Sequence, residues 1–163
     1  VSFGWRALAP KDIPAMVALA AIVHPGFPED DDVLAERLAL YPQGCFALED
    51  GDLFAGYLLS HPWRAFDPPP LNRLLGALPA VADTYYIHDL ALHPAVRGRG
   101  AAAPVLARIF AATAGYPSQS LVAVNNSGGF WARHGFAVIE QPRLAAKLSA
   151  YGADARYMMR RRA

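Results

Sequence analysis

The sequence predicts a single α/β domain spanning residues 1–163. Strand-sized apolar runs such as Leu121-Val122-Ala123-Val124 alternate with segments whose apolar residues recur every three or four positions. With 163 residues and 54% hydrophobic content, the chain is large enough to bury one core. No internal repeat and no linker-like boundary divides it.

Trp5 to Leu8 opens as a short strand. Asp12 stands where it can cap a helix whose early Pro14 is tolerated, because first-turn amides lack intrahelical partners. Met16, Val17, Leu19, Ala20 and Val23 give that helix its apolar face. Residues 24–30 form a loop, and Asp30 to Asp32 open a second helix reaching about Leu40. Cys45 to Glu49 and Leu53 to Ser60 flank Asp50-Gly51, the dipeptide expected of a tight hairpin turn. Residues 61–82 hold five prolines and read as a long irregular connection with a helical turn at 71–77. Tyr85 to Leu92 is the next strand. Val105, Leu106, Ile109, Phe110 and Thr113 then mark a helix running to about Ala114. Leu121 to Val124, apolar on both faces, reads as a buried central strand. A short helix through Phe130 and Trp131 ends at Gly135, and Phe136 to Glu140 and Arg156 to Arg160 supply the last strands.

Composition narrows the function. Net charge is +1, with Arg160-Arg161-Arg162 as the sole basic tract, so no nucleic-acid partner is expected. No apolar run approaches the ~20 residues of a bilayer span, and no charged-then-apolar leader follows Val1. A cytoplasmic protein without membrane association is therefore expected. The lone Cys45 excludes an internal disulfide and a cysteine-rich zinc site, and fits a reducing compartment.

The most informative stretch is residues 93–104, HPAVRGRGAAAP. With Pro104 in the first turn of its helix, the amides of roughly Gly98 to Ala103 lack intrahelical acceptors. Donors at a helix N-terminus, among glycines that permit close approach, suit a phosphate or pyrophosphate, with Arg97 and Arg99 at the rim. An ordinary glycine turn before a helix is the competing reading. Gly98-x-Gly100-x-x-Ala103 also satisfies the dinucleotide fingerprint, but the following strand (LVAVNN, 121–126) lacks the acid such a site requires. No Gly-Lys-Ser/Thr follows, which rules out a Walker loop.

At this point the chain resembles the GNAT superfamily of acetyl-CoA-dependent N-acetyltransferases. Their pyrophosphate motif, Arg/Gln-x-x-Gly-x-Gly/Ala, matches Arg97, Gly100 and Ala102, after an apolar-x-Pro turn at Leu92-His93-Pro94. An Asn-containing turn (Asn125-Asn126-Ser127) and an aromatic pair before Gly-Phe (Phe130, Trp131, Gly135, Phe136) follow in the family's order. The resemblance implies an α+β fold. Its central mixed, mostly antiparallel sheet would have six to seven strands, be splayed between the fourth and fifth, and be flanked by about four helices. It also implies acetyl-CoA as cosubstrate. Backbone at Leu90, Ala91 and Leu92 would hold the pantetheine arm, and Arg97, Gly98, Arg99, Gly100, Ala101 and Ala102 the pyrophosphate. Asn125, Ser127 and Phe130 would also contact the cofactor. The expected partner is a primary amine, on a small molecule or a peptide, with a homodimer left open. A non-catalytic acyl-CoA-binding module of the same fold is the alternative.

Acetylating an amine requires removing its proton, and His88 is the first candidate base, since imidazole titrates in the right range. The strand His88 to His93 resembles that of arylalkylamine N-acetyltransferases, which carries a histidine at this point. Strict alternation puts Asp89 on the opposite face, as the alternative base or a structural acid. His93 reads as a turn residue. His88 and His93, five apart, do not share a metal site. Trp131 departs from the family, where a tyrosine commonly protonates the departing thiolate; indole N–H only donates hydrogen bonds. Tyr85, Tyr86 and Tyr116 are candidate replacement acids. For the acceptor, Glu29 to Asp32 are candidates to attract a cation, with Trp63 and Phe66 forming an apolar wall. Cys45 lies away from these motifs, so direct attack without an acyl-enzyme is expected.

Overall fold

The computed structural model describes residues 3–162. Its strands are β1 (Phe3–Ala7), β2 (Cys45–Asp50), β3 (Leu53–Trp63), β4 (Thr84–Leu92), β5 (Ser118–Ala123), β6 (Ala137–Val138) and β7 (Arg156–Arg161). They form one seven-stranded sheet in the order β1-β2-β3-β4-β5-β7-β6. Every pairing is antiparallel except that of β4 with β5. The helices are α1 (Ile13–Val23), α2 (Asp31–Leu40), α3 (Ala102–Ala112), α4 (Gly128–Arg133) and α5 (Pro142–Leu148). The mixed sheet and its flanking helices follow the expectation, with five α-helices among the described residues.

The sheet buries both faces. Met16 and Leu19 of α1 and Leu34 and Leu38 of α2 pack on Tyr57, Leu59 and Ala91. On the other side Val105, Leu106 and Ile109 of α3, with Trp131 of α4, pack on Leu58, Tyr85, Ile87 and Leu121. Each such leucine, withdrawn from water, contributes about 1.5–3 kcal/mol. Trp5 Nε1 donates to Ala101 O at 2.7 Å, tying β1 to the entry of α3.

Several local expectations need correction. The Asp12 carboxylate accepts from both Arg6 Nη atoms (2.7 and 2.8 Å) and from Ala9 N (2.8 Å). It fastens β1 to the turn ahead of α1 and caps no amide of α1. The β2–β3 hairpin turns on Gly51 and Asp52, one residue later than expected, because Asp50 pairs with Leu53. Gly51 has φ +60°, the left-handed value this turn requires at its first position. β3 continues through Pro62 to Trp63. The proline is tolerated because β2 ends opposite Leu59, so β3 is paired on one side only from Ser60 onward. Residues 71–77 form no helix, only a turn at Leu71-Asn72 and a bend at Ala77. The segment after Phe136, expected as a strand to Glu140, contributes only β6 to the sheet.

Candidate active site

The parallel ladder between β4 and β5 is short. Tyr85, Tyr86 and Ile87 pair with Gln119, Ser120 and Leu121, and the pairing ends there. From His88 to Leu92, β4 is bonded to β3 alone. A cavity of about 480 Å³ opens at this split, walled by residues of β4, by the turn after β5, and by the loop joining α1 to α2.

A β-bulge decides which side chains meet there. Leu59 lies opposite Asp89 but Ser60 lies opposite Ile87, so His88 is an extra residue in β4. A bulge breaks the two-residue alternation, and successive side chains emerge on one face. Tyr85 and Ile87 pack on the α3 side, and beyond the bulge so do Leu90 and Leu92. His88 and Asp89 both point toward α1 and α2, where Glu29, His24 and Tyr57 meet them. The expectation that Asp89 faces away from His88 is therefore wrong, and both residues line the same cavity.

Two histidine–carboxylate pairs result. His88 Nε2 lies 2.8 Å from Glu29 Oε1, with side chains 3% and 9% exposed. Burial pushes Glu29 up, but His88 outweighs it through charge and hydrogen bond. The Asn72 amide and the Arg37 charge assist, so the carboxyl stays at about 2. An ionised carboxylate only accepts, so His88 Nε2 carries the hydrogen. His88 Nδ1 is buried and has no hydrogen-bond partner among the described residues. In the second pair, His24 Nε2 lies 2.7 Å from Asp89 Oδ1, while Tyr57 O–H donates to Asp89 Oδ2 at 2.5 Å. His24 Nδ1 lies 3.3 Å from the Asn125 side-chain amide. Burial disfavours charge on His24, yet the adjacent Asp89 carboxylate prevails. Glu29 helps, Arg97 opposes, and the imidazole titrates above its ordinary value.

The glycine segment has a different character. Gly98 and Gly100 adopt φ +73° and +72°, and a Cβ built on either meets nothing within 4 Å. Among the described residues, the amides of Gly98 to Ala101 donate no backbone hydrogen bond of ordinary geometry. α3 begins at Ala102, which puts Pro104 in its first turn as expected. Ala101 and Ala102 are buried as whole residues, so the exposed part of the segment is Arg97 to Gly100. Arg97 Nε donates to Leu92 O (3.2 Å), and Arg99 lies 3.4 Å from Asp50 and over the Phe3 ring. Bare donors beside left-handed glycines fit a pyrophosphate.

Of the residues singled out from sequence, His88, Asp89, Leu90, Leu92, Arg97, Gly98, Asn125, Ser127, Phe130 and Trp131 line the cavity. Arg99, Gly100, Ala101 and Ala102 continue from its rim, outside its lining. The Ala91 side chain is in the core beneath α1 and α2, so only its backbone can face the split. Trp131 is buried among Phe130 and Phe136, edge to face with both. His93 accepts from Ala95 N and is a turn residue. Trp63 and Phe66 do not reach the cavity: Trp63 Nε1 donates to Asp67 O, and Phe66 packs on Tyr157. Phe27, Leu71 and Tyr151 line that end instead. Glu29 is committed to His88 and to the Asn72 amide.

Sequence reading missed His24, the Glu29–His88 pair and Tyr151. Tyr151 follows α5, whose Gln141-Pro142 start and Leu144/Leu148 spacing are a legible helix signal. Cys45 is fully buried with its thiol pushed up to about 12 by burial. Among the described residues no group of three or more His, Cys, Asp or Glu is arranged to hold a metal ion. No helix among the described residues is long and apolar enough to cross a membrane.

A family model described as the acetyltransferase (GNAT) family matches residues 15–136. Among solved structures, the loading GNATL domain of CurA from Lyngbya majuscula is similar, with TM-score 0.76, 13% identity and 96% of each chain covered. The GphF GNAT-like decarboxylase in complex with isobutyryl-CoA has TM-score 0.76 and 17% identity, over 98% of this chain and 100% of that one. Naa50 of Arabidopsis thaliana, in complex with the bisubstrate analogue CoA-Ac-MVNAL, has TM-score 0.69 and 14% identity, over 98% and 97%. Comparison with curated protein sequences gives no match.

Proposed function

The chain belongs to the GNAT acetyltransferase family, and on that premise we propose that it moves an acetyl group from acetyl-CoA to a primary amine, with His88 as the base. One observation carries the reading. His88 sits at the unpaired edge of β4 with Nε2 pinned by Glu29 and Nδ1 buried without a partner. A nitrogen lone pair held in that way is costly to bury unless something uses it.

Bound acetyl-CoA supplies a thioester carbonyl and a sulfur leaving group. The amides of Gly98 to Ala102 would hold its pyrophosphate, with Arg97 and Arg99 as peripheral charges. The backbone of Leu90, Ala91 and Leu92 would run along one side of the pantetheine arm, and Asn125, Ser127 and Phe130 along the other. The amine, on a small molecule or a peptide, would enter past Phe27, Leu71 and Tyr151. His88 Nδ1 takes the proton that the amine loses on attack, and Glu29 stabilises the imidazolium so formed. Asp89, bonded to Tyr57 and His24, is the structural acid of the pair. Attack is direct, because the Cys45 thiol is buried and held protonated.

The buried, apolar setting of Trp131 favours one second reading, an acyl-CoA-binding module without turnover. Thermal melting with acetyl-CoA, CoA, NAD and ATP in parallel tests the cofactor, and thiol release on addition of small amines and peptides tests the reaction. The proposal expects stabilisation by the first two alone and amine-dependent thiol release. Stabilisation without release across the panel returns the binding module, and no stabilisation by either coenzyme A form overturns both.

A further inference from the structure

The transferase reading leaves one proton unassigned. When the amine takes the acetyl group, the C–S bond breaks with its electron pair on sulfur, and that sulfur is best released as a thiol. Trp131 has no proton to give. The tyrosines near the site are poorly suited. Tyr86 is pushed far up by burial, and Tyr151, also pushed up by burial, already donates to Pro69 O at 2.7 Å. Tyr85 shares its hydroxyl with Ser60 at 2.8 Å and, like Tyr116, is not part of the cavity lining.

His24 is placed differently. It ends α1, lines the cavity, and stands between the two arms of the split. Its Nε2 is on Asp89 of β4, and its Nδ1 faces Asn125 in the turn after β5. We propose that His24 is the general acid of this site, delivering the proton on Nδ1 to the departing coenzyme A sulfur.

The assignment of atoms follows from the contacts. Nε2 is committed to Asp89, so Nδ1 is the transferable position. The Asn125 amide can turn its oxygen to accept from Nδ1–H until the sulfur needs it. The charged and titratable groups around His24 are Asp89 with Tyr57 behind it, Glu29 and His88 from the neighbouring pair, and Arg97 at the end of β4. The carboxylates prevail over Arg97 and favour the protonated imidazole. In the balanced step, one proton passes from the amine to His88 Nδ1 and one from His24 Nδ1 to sulfur. Neutral His24 and protonated His88 then exchange with solvent.

The test rests on the transferase reading for coenzyme A binding but needs no acceptor. The protein is titrated with CoA, and the thiolate absorbance of the bound coenzyme is followed against pH. A neighbouring imidazolium lowers a thiol pKa, so the wild type should hold about tenfold more thiolate at a fixed pH than His24→Gln, a one-unit shift. Equal thiolate in the two proteins would overturn the assignment. Nitrogen NMR of His24 in the unmodified protein provides the second measurement. CoA should raise its titration midpoint and desulfo-CoA should not; the same response to both overturns the proposal. Absence of CoA binding fails the transferase reading itself and shows separately, as an unchanged melting temperature.

Discussion

The two ends of the cavity are built on opposite principles. At the pyrophosphate end, the amides of Gly98 to Ala101 donate no backbone hydrogen bond of ordinary geometry among the described residues, and Arg99 is the one long side chain there. At the acceptor end, His88 and Glu29 are nearly buried and His24 and Asp89 partly buried, and each pair is already bound at 2.7 to 2.8 Å. One end is left bare for a ligand to complete. The other is preorganised, with the orphaned His88 Nδ1 as its one open atom among the two pairs. The difference separates affinity from chemistry: the bare end should govern coenzyme binding and the paired end proton transfer.

Substitutions can break that division. The largest effect is expected from His88→Ala, which should lower kcat/KM by roughly 10²–10⁴ while leaving acetyl-CoA affinity unchanged; steady-state kinetics beside a binding isotherm checks both. Gly100→Val should do the reverse. A left-handed φ costs an L-residue about 1–2 kcal/mol, so the loop should shift and acetyl-CoA Kd should rise about tenfold, as read by calorimetry.

Acid sensitivity should come from buried groups at and behind the paired end. His61, in ring contact with Tyr86, is buried and neutral, its pKa depressed by burial to about 3. Between pH 6.5 and 3 the unfolded chain binds a proton that the folded one refuses. Stability therefore falls as pH drops through that window, by about 1.4 kcal/mol per unit from this group. Glu29 adds to the loss between 4.5 and about 2, where the unfolded carboxyl protonates first. Denaturant melts at stepped pH should show a flatter slope for His61→Phe. Glu29→Gln keeps an oxygen for His88 Nε2–H but removes the charge. It should lower kcat less than His88→Ala and leave the KM for cationic amines alone, since both carboxylate oxygens already have partners. The smallest effect is expected from Arg99→Ala. Its side chain is 42% exposed and tied to Asp50, so its weak pull on the coenzyme should fade further with added salt.

The same division explains what the sequence made legible. The pyrophosphate end is a run of neighbouring residues whose glycines and Pro104 signal their geometry directly. The paired end is assembled from contacts 59, 65 and 101 residues apart. His24 and Glu29 looked like members of a loop, and nothing local marks them as partners of β4. The bulge was hidden too, since alternation in β4 fails only because Ser60 pairs with Ile87 instead of His88. The mixed, mostly antiparallel sheet and its split between the fourth and fifth strands followed from the resemblance. Pro62 shortened β3 on paper because the lack of a neighbouring strand beside it is a tertiary fact.

One measurement tests the central claim most directly: calorimetric titration of acetyl-CoA into His88→Ala and Gly100→Val side by side. Wild-type affinity in His88→Ala with clearly weakened binding in Gly100→Val is the predicted result. Equal affinities in the two variants, or weaker binding in His88→Ala, would contradict the assignment of affinity to the bare loop and chemistry to the histidine pairs.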